Sequence, residues 1–167
     1  MKWLDRTASI AVIVAVVVFL VVVARNEFFA PRPQPQPNPE KDLAGKTISL
    51  PGVAYTYGQD SLVLVVSTKC HFCQDSLAFY KQLTEKLHGK LDIIAVLPEP
   101  ETEAKKFLAD AGVQTEHVVK AVPNSLGVRG TPTVLLVDDK GKIKNVWVGH
   151  LDEAGQKQLL STVLPQG

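Results

Sequence analysis

The chain is poor in sulfur: it has two cysteines and a single methionine, which is residue 1. A secreted disulfide scaffold spreads several cysteines along its length, so this is not one. The pair can react only with itself, with a partner thiol or disulfide, or with a metal. Charge imbalance is also missing. Eighteen basic residues face seventeen acidic ones, and no Lys/Arg run occurs, so nothing electrostatic points to nucleic acid. No segment repeats at a period of about 20–50 residues, which excludes solenoids and propellers. Aromatic residues are few.

The abundant residue types are unevenly placed. From Ile10 to Ala24 no polar side chain occurs, and Ala8 to Ala24 is apolar apart from Ser9. As a helix that run spans roughly 26 Å against a hydrocarbon core of about 30 Å. Trp3 before it, with Phe28 and Phe29 after it, suit the two interfaces. The expectation is an uncleaved signal-anchor over residues 1–27, a single transmembrane helix. A cleaved signal peptide is the competing reading, since Lys2 and Arg6 form a basic start and Val22-Val23-Ala24 resembles a small-residue cleavage site. The length of the apolar run favours the anchor. A short leader before it and a large domain after it suit an N-in, C-out orientation.

Proline occupies positions 31, 33, 35, 37 and 39. Alternating proline favours extended polyproline II, so residues 28–41 read as a semi-rigid linker between membrane and domain. Residues 42–167 are long enough for one core and too short for two ordinary ones. Within them Lys46–Leu50 reads as a short strand ended by Pro51-Gly52. Ser61–Val66 is a continuous apolar run, as in a strand buried on both faces. Leu77, Tyr80, Leu83 and Leu87 recur at helical spacing before Gly89. Leu91–Leu97 reads as the next strand. Ala104, Phe107, Leu108 and Ala111 mark a second helix. Thr133–Val137 and Ile143–Val148 form a hairpin around Asp138-Asp139-Lys140-Gly141. Asp152 caps a last helix that buries Leu159, Leu160 and Val163. The order β-α-β-α, hairpin, α predicts an α/β fold with a central mixed sheet flanked by helices.

Cys70-His71-Phe72-Cys73 falls between a buried strand and a helix start. There the unsatisfied N–H groups favour a thiolate at Cys70, the reactive form. Lys69 and His71 flank it with one permanent and one switchable positive charge. Cys73, one turn on, is placed to close a disulfide. Attack by Cys70 on a substrate disulfide and resolution by Cys73 need no cofactor. A structural disulfide over so short a loop contributes only about 2 kcal/mol. A zinc site lacks a second ligand pair, and covalent haem attachment wants histidine where Gln74 stands.

With Val63-Leu64-Val65-Val66-Ser67-Thr68-Lys69-Cys70-His71-Phe72-Cys73 and the later Val128-Arg129-Gly130-Thr131-Pro132-Thr133, the chain resembles the thioredoxin superfamily. It is most similar to the membrane-anchored TlpA/ResA-like branch of extracytoplasmic bacterial oxidoreductases, over roughly Leu43 to Leu164. The resemblance implies a thioredoxin-like fold in which Pro132 is a cis-proline, with the Thr131 backbone facing the cysteine pair. It further implies a protein disulfide or dithiol substrate, a transmembrane electron donor, and a domain on the outer side of a bacterial cytoplasmic membrane. Lys69 replaces the tryptophan usual before the first cysteine. Leu64 stands where thioredoxins carry a buried strand acid, and Ser76 stands where cytochrome-maturation relatives often carry glutamate. The general activity is therefore what carries over.

Arg129, beside the cis-proline motif, is either substrate-facing or a surface residue. His88 reads as a helix C-cap, while His117 and His150 carry no assigned role. Two alternatives come from other classes. One is a Cu(I) metallochaperone using Cys70, Cys73 and His150. The other is a thiol peroxidase, for which Thr68 is one position off and no proline lies in Ser61–Lys69.

Overall fold

The computed structural model describes residues 42–164, and Val16 alone of the N-terminal segment. Apart from Val16, the expected anchor over 1–27 and linker over 28–41 lie outside the described residues. Among the described residues no helix is long and apolar enough to cross a membrane. The chain divides into two compact units, Met1–Gln36 and Pro37–Gly167. The second carries the fold described below.

It contains β1 (Ser61–Val65), α1 (His71–Leu87), β2 (Asp92–Leu97), α2 (Glu101–Asp110), β3 (His117–Lys120), a 3-10 turn (Pro123–Leu126), β4 (Thr133–Val137), β5 (Ile143–Val148) and α3 (Glu153–Val163). The five strands lie in the order β3-β2-β1-β4-β5. β1 runs parallel to β2 and antiparallel to β4, so the sheet is mixed as expected. The βαβ crossover through α1 makes β1 central and leaves its carboxyl end free for the cysteine loop.

Alternation along β1 divides the core in two. Leu62, Leu64 and Val66 face a cluster that includes Tyr80, Leu83 and Leu87 of α1, Ala104 and Leu108 of α2, and Leu159 and Val163 of α3. Val63 and Val65 face the opposite cluster. There, among the described residues, no long helix contributes; Leu43, Ile48, Leu50, Leu126 and Val128 cover the sheet instead. The sheet is thus flanked by helices on one face and by irregular chain on the other.

Two expectations are corrected. Lys46–Leu50 is not a strand: it makes one isolated bridge, Thr47 to Lys142. Pro51-Gly52 stops it before a ladder forms, while Ile48 and Leu50 serve as buried plugs. Conversely, His117–Lys120 is an edge strand pairing parallel with β2. Its apolar signal is only Val118 and Val119, and the exposed ends are the polar residues that protect a sheet edge. At α3, Asp152 accepts from the Gly155 N–H at 2.8 Å, Leu159 and Val163 are buried, and Leu160 is half-buried. The β4–β5 hairpin turns on Asp138, whose Oδ1 accepts from the N–H groups of Lys140 and Lys142 at 2.9 Å each.

Candidate active site

Cys70 is the N-cap of α1, with φ −92° and ψ 115°, and its sulfur accepts from the Cys73 N–H at 3.2 Å. It therefore takes the capping role that Ser, Thr or Asp usually fills. Partial burial alone would raise its thiol. The hydrogen bond from the Cys73 side chain, the Thr131 hydroxyl and the N–H groups of Cys73 and Phe72 outweigh this, so Cys70 is held below the ordinary cysteine value. Thr131 meets the sulfur from a second direction too, its carbonyl lying 3.2 Å away to accept from the protonated thiol. The Thr131–Pro132 bond is cis and Pro132 is buried.

Cys73 behaves oppositely. It is wholly buried, and burial, then its contact with Cys70, pushes the thiol up to about 12 against hydrogen bonds from the Ser67 backbone and Thr131. The ionised sulfur therefore belongs to Cys70 and the proton to Cys73. Leu64 lies in the same buried cluster as Cys73, so the strand behind the thiol presents hydrocarbon.

Cys70, Cys73, Thr131 and Pro132 come together. The other flanking residues do less directly. Lys69 is exposed, and the loop uses its N–H, which donates to Ser67 Oγ at 3.2 Å. His71 points outward, its side chain 80 % exposed and Nε2 3.4 Å from Asp75 Oδ2. The hydrogen bonds that hold the Cys70 sulfur toward the thiolate come from Cys73, Thr131 and Phe72. Phe72 itself stands exposed beside the pair. Arg129 pairs with Asp42 at 3.3 Å, His88 is the C-cap of α1, and His117 sits on the β3 edge. Among the described residues no group of three or more His, Cys, Asp or Glu is placed to hold a metal. His150 Nδ1 lies against Ser76 Oγ at 3.0 Å, not in a set with the cysteines.

One buried group was not anticipated. Glu99, just past β2, is 7 % exposed. Its Oε1 accepts from Ser67 Oγ at 2.6 Å and from the Thr68 N–H at 3.2 Å, while Oε2 is buried with no partner. Glu103 accepts from the Thr68 hydroxyl at 3.1 Å, and Gln74 donates to the Thr68 carbonyl at 3.1 Å. The loop presenting Cys70 is therefore pinned from three sides. In sequence Glu99 is one of several acids at a helix start, and only the parallel β1–β2 pairing brings it under the loop.

A βαβ unit with a Cys-X-X-Cys at the helix N-terminus, facing a cis-proline before an antiparallel strand, defines a thioredoxin-like domain. Residues 53–164 match the thioredoxin-like domain family, and the chain belongs to it. Within that family it is similar to the thiol-disulfide oxidoreductase ResA of Geobacillus thermodenitrificans, at 28 % identity over 103 residues, 59 % of each chain. The match therefore spans 59 % of that relative's length. ResA of Halalkalibacterium halodurans is 26 % identical over 135 residues, covering 75 % of this chain and 73 % of the relative. Among solved structures, a putative thiol:disulfide interchange protein DsbE from Chlorobium tepidum superposes with a TM-score of 0.52 at 25 % identity, covering 72 % of this chain and 96 % of that one.

Proposed function

We propose that the chain is an extracytoplasmic thiol–disulfide oxidoreductase that reduces protein disulfides. The carrying observation is the opposed state of two neighbouring sulfurs. Cys70 is half-buried and held toward the thiolate, and Cys73 is sealed and kept protonated. Thiolate at Cys70 attacks a substrate disulfide and displaces one substrate thiolate, leaving a mixed disulfide. Cys73 then attacks Cys70, and the second substrate sulfur leaves as a thiolate. Exposed Phe72 and half-buried Thr131 offer an apolar and a backbone contact to the substrate polypeptide. The ResA relatives, which carry the name thiol-disulfide oxidoreductase, support this reading.

The apolar run 8–24 anchors the domain to a bacterial cytoplasmic membrane as a single span, and residues 28–41 hold it off the outer face. A reductant placed there draws electrons from a donor within the membrane. Two measurements test the reading. Cys73→Ser should accumulate a covalent adduct with a protein substrate, released by dithiothreitol, and Cys70→Ser should not. The pair's reduction potential should lie near thioredoxin's, about −270 mV; a value near −120 mV would make it a disulfide donor. Failure of the two cysteines to form an intramolecular disulfide at all would reject the oxidoreductase reading.

A further inference from the structure

Resolution of a mixed disulfide requires Cys73 to lose its proton, and the wall around it is largely hydrocarbon. Leu62, Leu64 and Val66 of the strand side share its cluster, and none can accept a proton. Polar groups instead line its own helix. Cys73, Ser76 and Tyr80 follow one another at i, i+3 and i+7, so they stack along one face of α1. All three are buried, at 0, 3 and 2 % exposure. The Tyr80 phenol interacts with Ser76 and feels the charge of both cysteines. Ser76 Oγ donates to the Phe72 carbonyl at 2.8 Å and lies 3.0 Å from His150 Nδ1. His150 is exposed. The hydroxyl row therefore begins one helical turn from the buried thiol and ends on an imidazole open to water. Its loop is fixed to the site, because the Gly149 N–H donates to the Pro132 carbonyl at 2.8 Å.

We propose that His150, acting through Ser76 and Tyr80, accepts the Cys73 proton during resolution. This rests on the oxidoreductase reading above. In the step, neutral His150 gains a proton at Nδ1 from the Ser76 hydroxyl, and the hydroxyl row takes the Cys73 proton in exchange. The Cys73 thiolate attacks Cys70 and forms the Cys70–Cys73 bond. The bond from Cys70 to the substrate sulfur breaks, and its electron pair leaves on that sulfur. The substrate is reduced, the pair is oxidised, and the imidazolium returns its proton to water or to the departing thiolate. Ser76 suits both protonation states. It can donate to a neutral Nδ1, or accept from Nδ1–H while donating to the Phe72 carbonyl, so no buried hydroxyl is left unpaired. Burial raises the Tyr80 phenol, keeping it neutral and able to donate and accept at once.

On α1, Cys70 caps the helix, Cys73 and Tyr80 are buried, and Asp75 engages His71 on the exposed side. Asp152 and Glu153 stand at the start of α3, with Asp152 committed to the Gly155 N–H.

The test uses the full chain in detergent, with Cys70 loaded as a mixed disulfide with 5-thio-2-nitrobenzoate. Release of the coloured thiolate reports attack by Cys73. The wild-type rate should rise with pH. His150→Gln should release the label at least about tenfold more slowly near neutral pH. The two proteins should converge above roughly pH 10, where hydroxide replaces the relay. Ser76→Ala should reproduce the defect, and the double variant should be no slower than either single one. Alkylation of Cys70 in a Cys73→Ser background should be unchanged by His150→Gln. A His150→Gln profile parallel to wild type overturns the proposal, as does an equal slowing of Cys70 alkylation. If wild type never releases the label, the oxidoreductase reading itself fails.

Discussion

Iodoacetamide added to the reduced protein at pH 7 should modify Cys70 and spare Cys73, by a margin that follows from the site. An ordinary cysteine, with a pKa of about 8.5, is roughly 3 % thiolate at that pH. The Cys73 thiol, pushed up to about 12, is ionised to only about one part in 100,000. Ionisation alone therefore slows Cys73 about 3,000-fold relative to a free cysteine, and complete burial slows it further. Cys70 lies below the ordinary value, so it should react faster than a free cysteine does. Timed quenching followed by peptide mapping gives both rates from one sample. Repeating the series upward in pH should show Cys70 levelling off early, while Cys73 gains about tenfold per pH unit up to the limit of stability. Labelling of Cys73 within tenfold of Cys70 at pH 7 would refute the assignment of nucleophile and resolving thiol.

The same pair sets a pH dependence of stability. A folded-state pKa raised to about 12 at Cys73 favours the native state below about pH 8.5, and that contribution is lost as pH rises toward 12. The urea midpoint of the reduced protein should therefore fall between pH 8 and pH 10 relative to the oxidised one. Glu99→Ala strips the acceptor from the Ser67 hydroxyl and the Thr68 N–H, at a cost of about 1–3 kcal/mol in chemical denaturation. Glu99→Gln keeps one oxygen in place and should lose less. Asp152→Ala removes the α3 cap and should lower stability by about 1 kcal/mol, read as a lower Tm. Gly141 has φ +75°, and a Cβ there would collide with the Ile48 carbonyl and the Tyr55 ring. Gly141→Ala should therefore destabilise by at least about 1–3 kcal/mol in the same measurement.

Strong periodic signals translated directly into structure. β4 and β5 begin and end where their apolar runs do, because both are bounded by turn chemistry at Asp138-Gly141 and Gly149. Ser61–Val65 was legible as a strand buried on both faces because it is central and flanked by β2 and β4. β3 was hidden because an edge strand with one covered face needs only Val119 fully buried. Lys46–Leu50 misled for the reverse reason, since its apolar residues plug a cluster without pairing. At the site, local spacing brought out Cys70 and Cys73, and the second motif pointed to Thr131 and Pro132. Glu99 reaches the site through strand pairing, and the Ser76–His150 contact joins residues 74 apart in sequence. Neither contact has a local pattern to reveal it. Flanking charge was a weaker guide, because it said nothing of direction, and His71 turns to Asp75.

The irregular cover on the second sheet face decides where this domain can be cut. The family match starts at residue 53, yet Leu43, Ile48 and Leu50 are 3, 6 and 2 % exposed against Val63, Val65 and Ile143. The N–H groups of Gly45 and Ile143 bond to the carbonyls of Ile143 and Lys46, at 2.8 Å each, so this stretch is stitched to β5 as well. A recombinant fragment trimmed to the family boundary would bare part of that sheet face and invite association through it. One starting at or before Asp42 keeps both the apolar cover and the Arg129 ion pair.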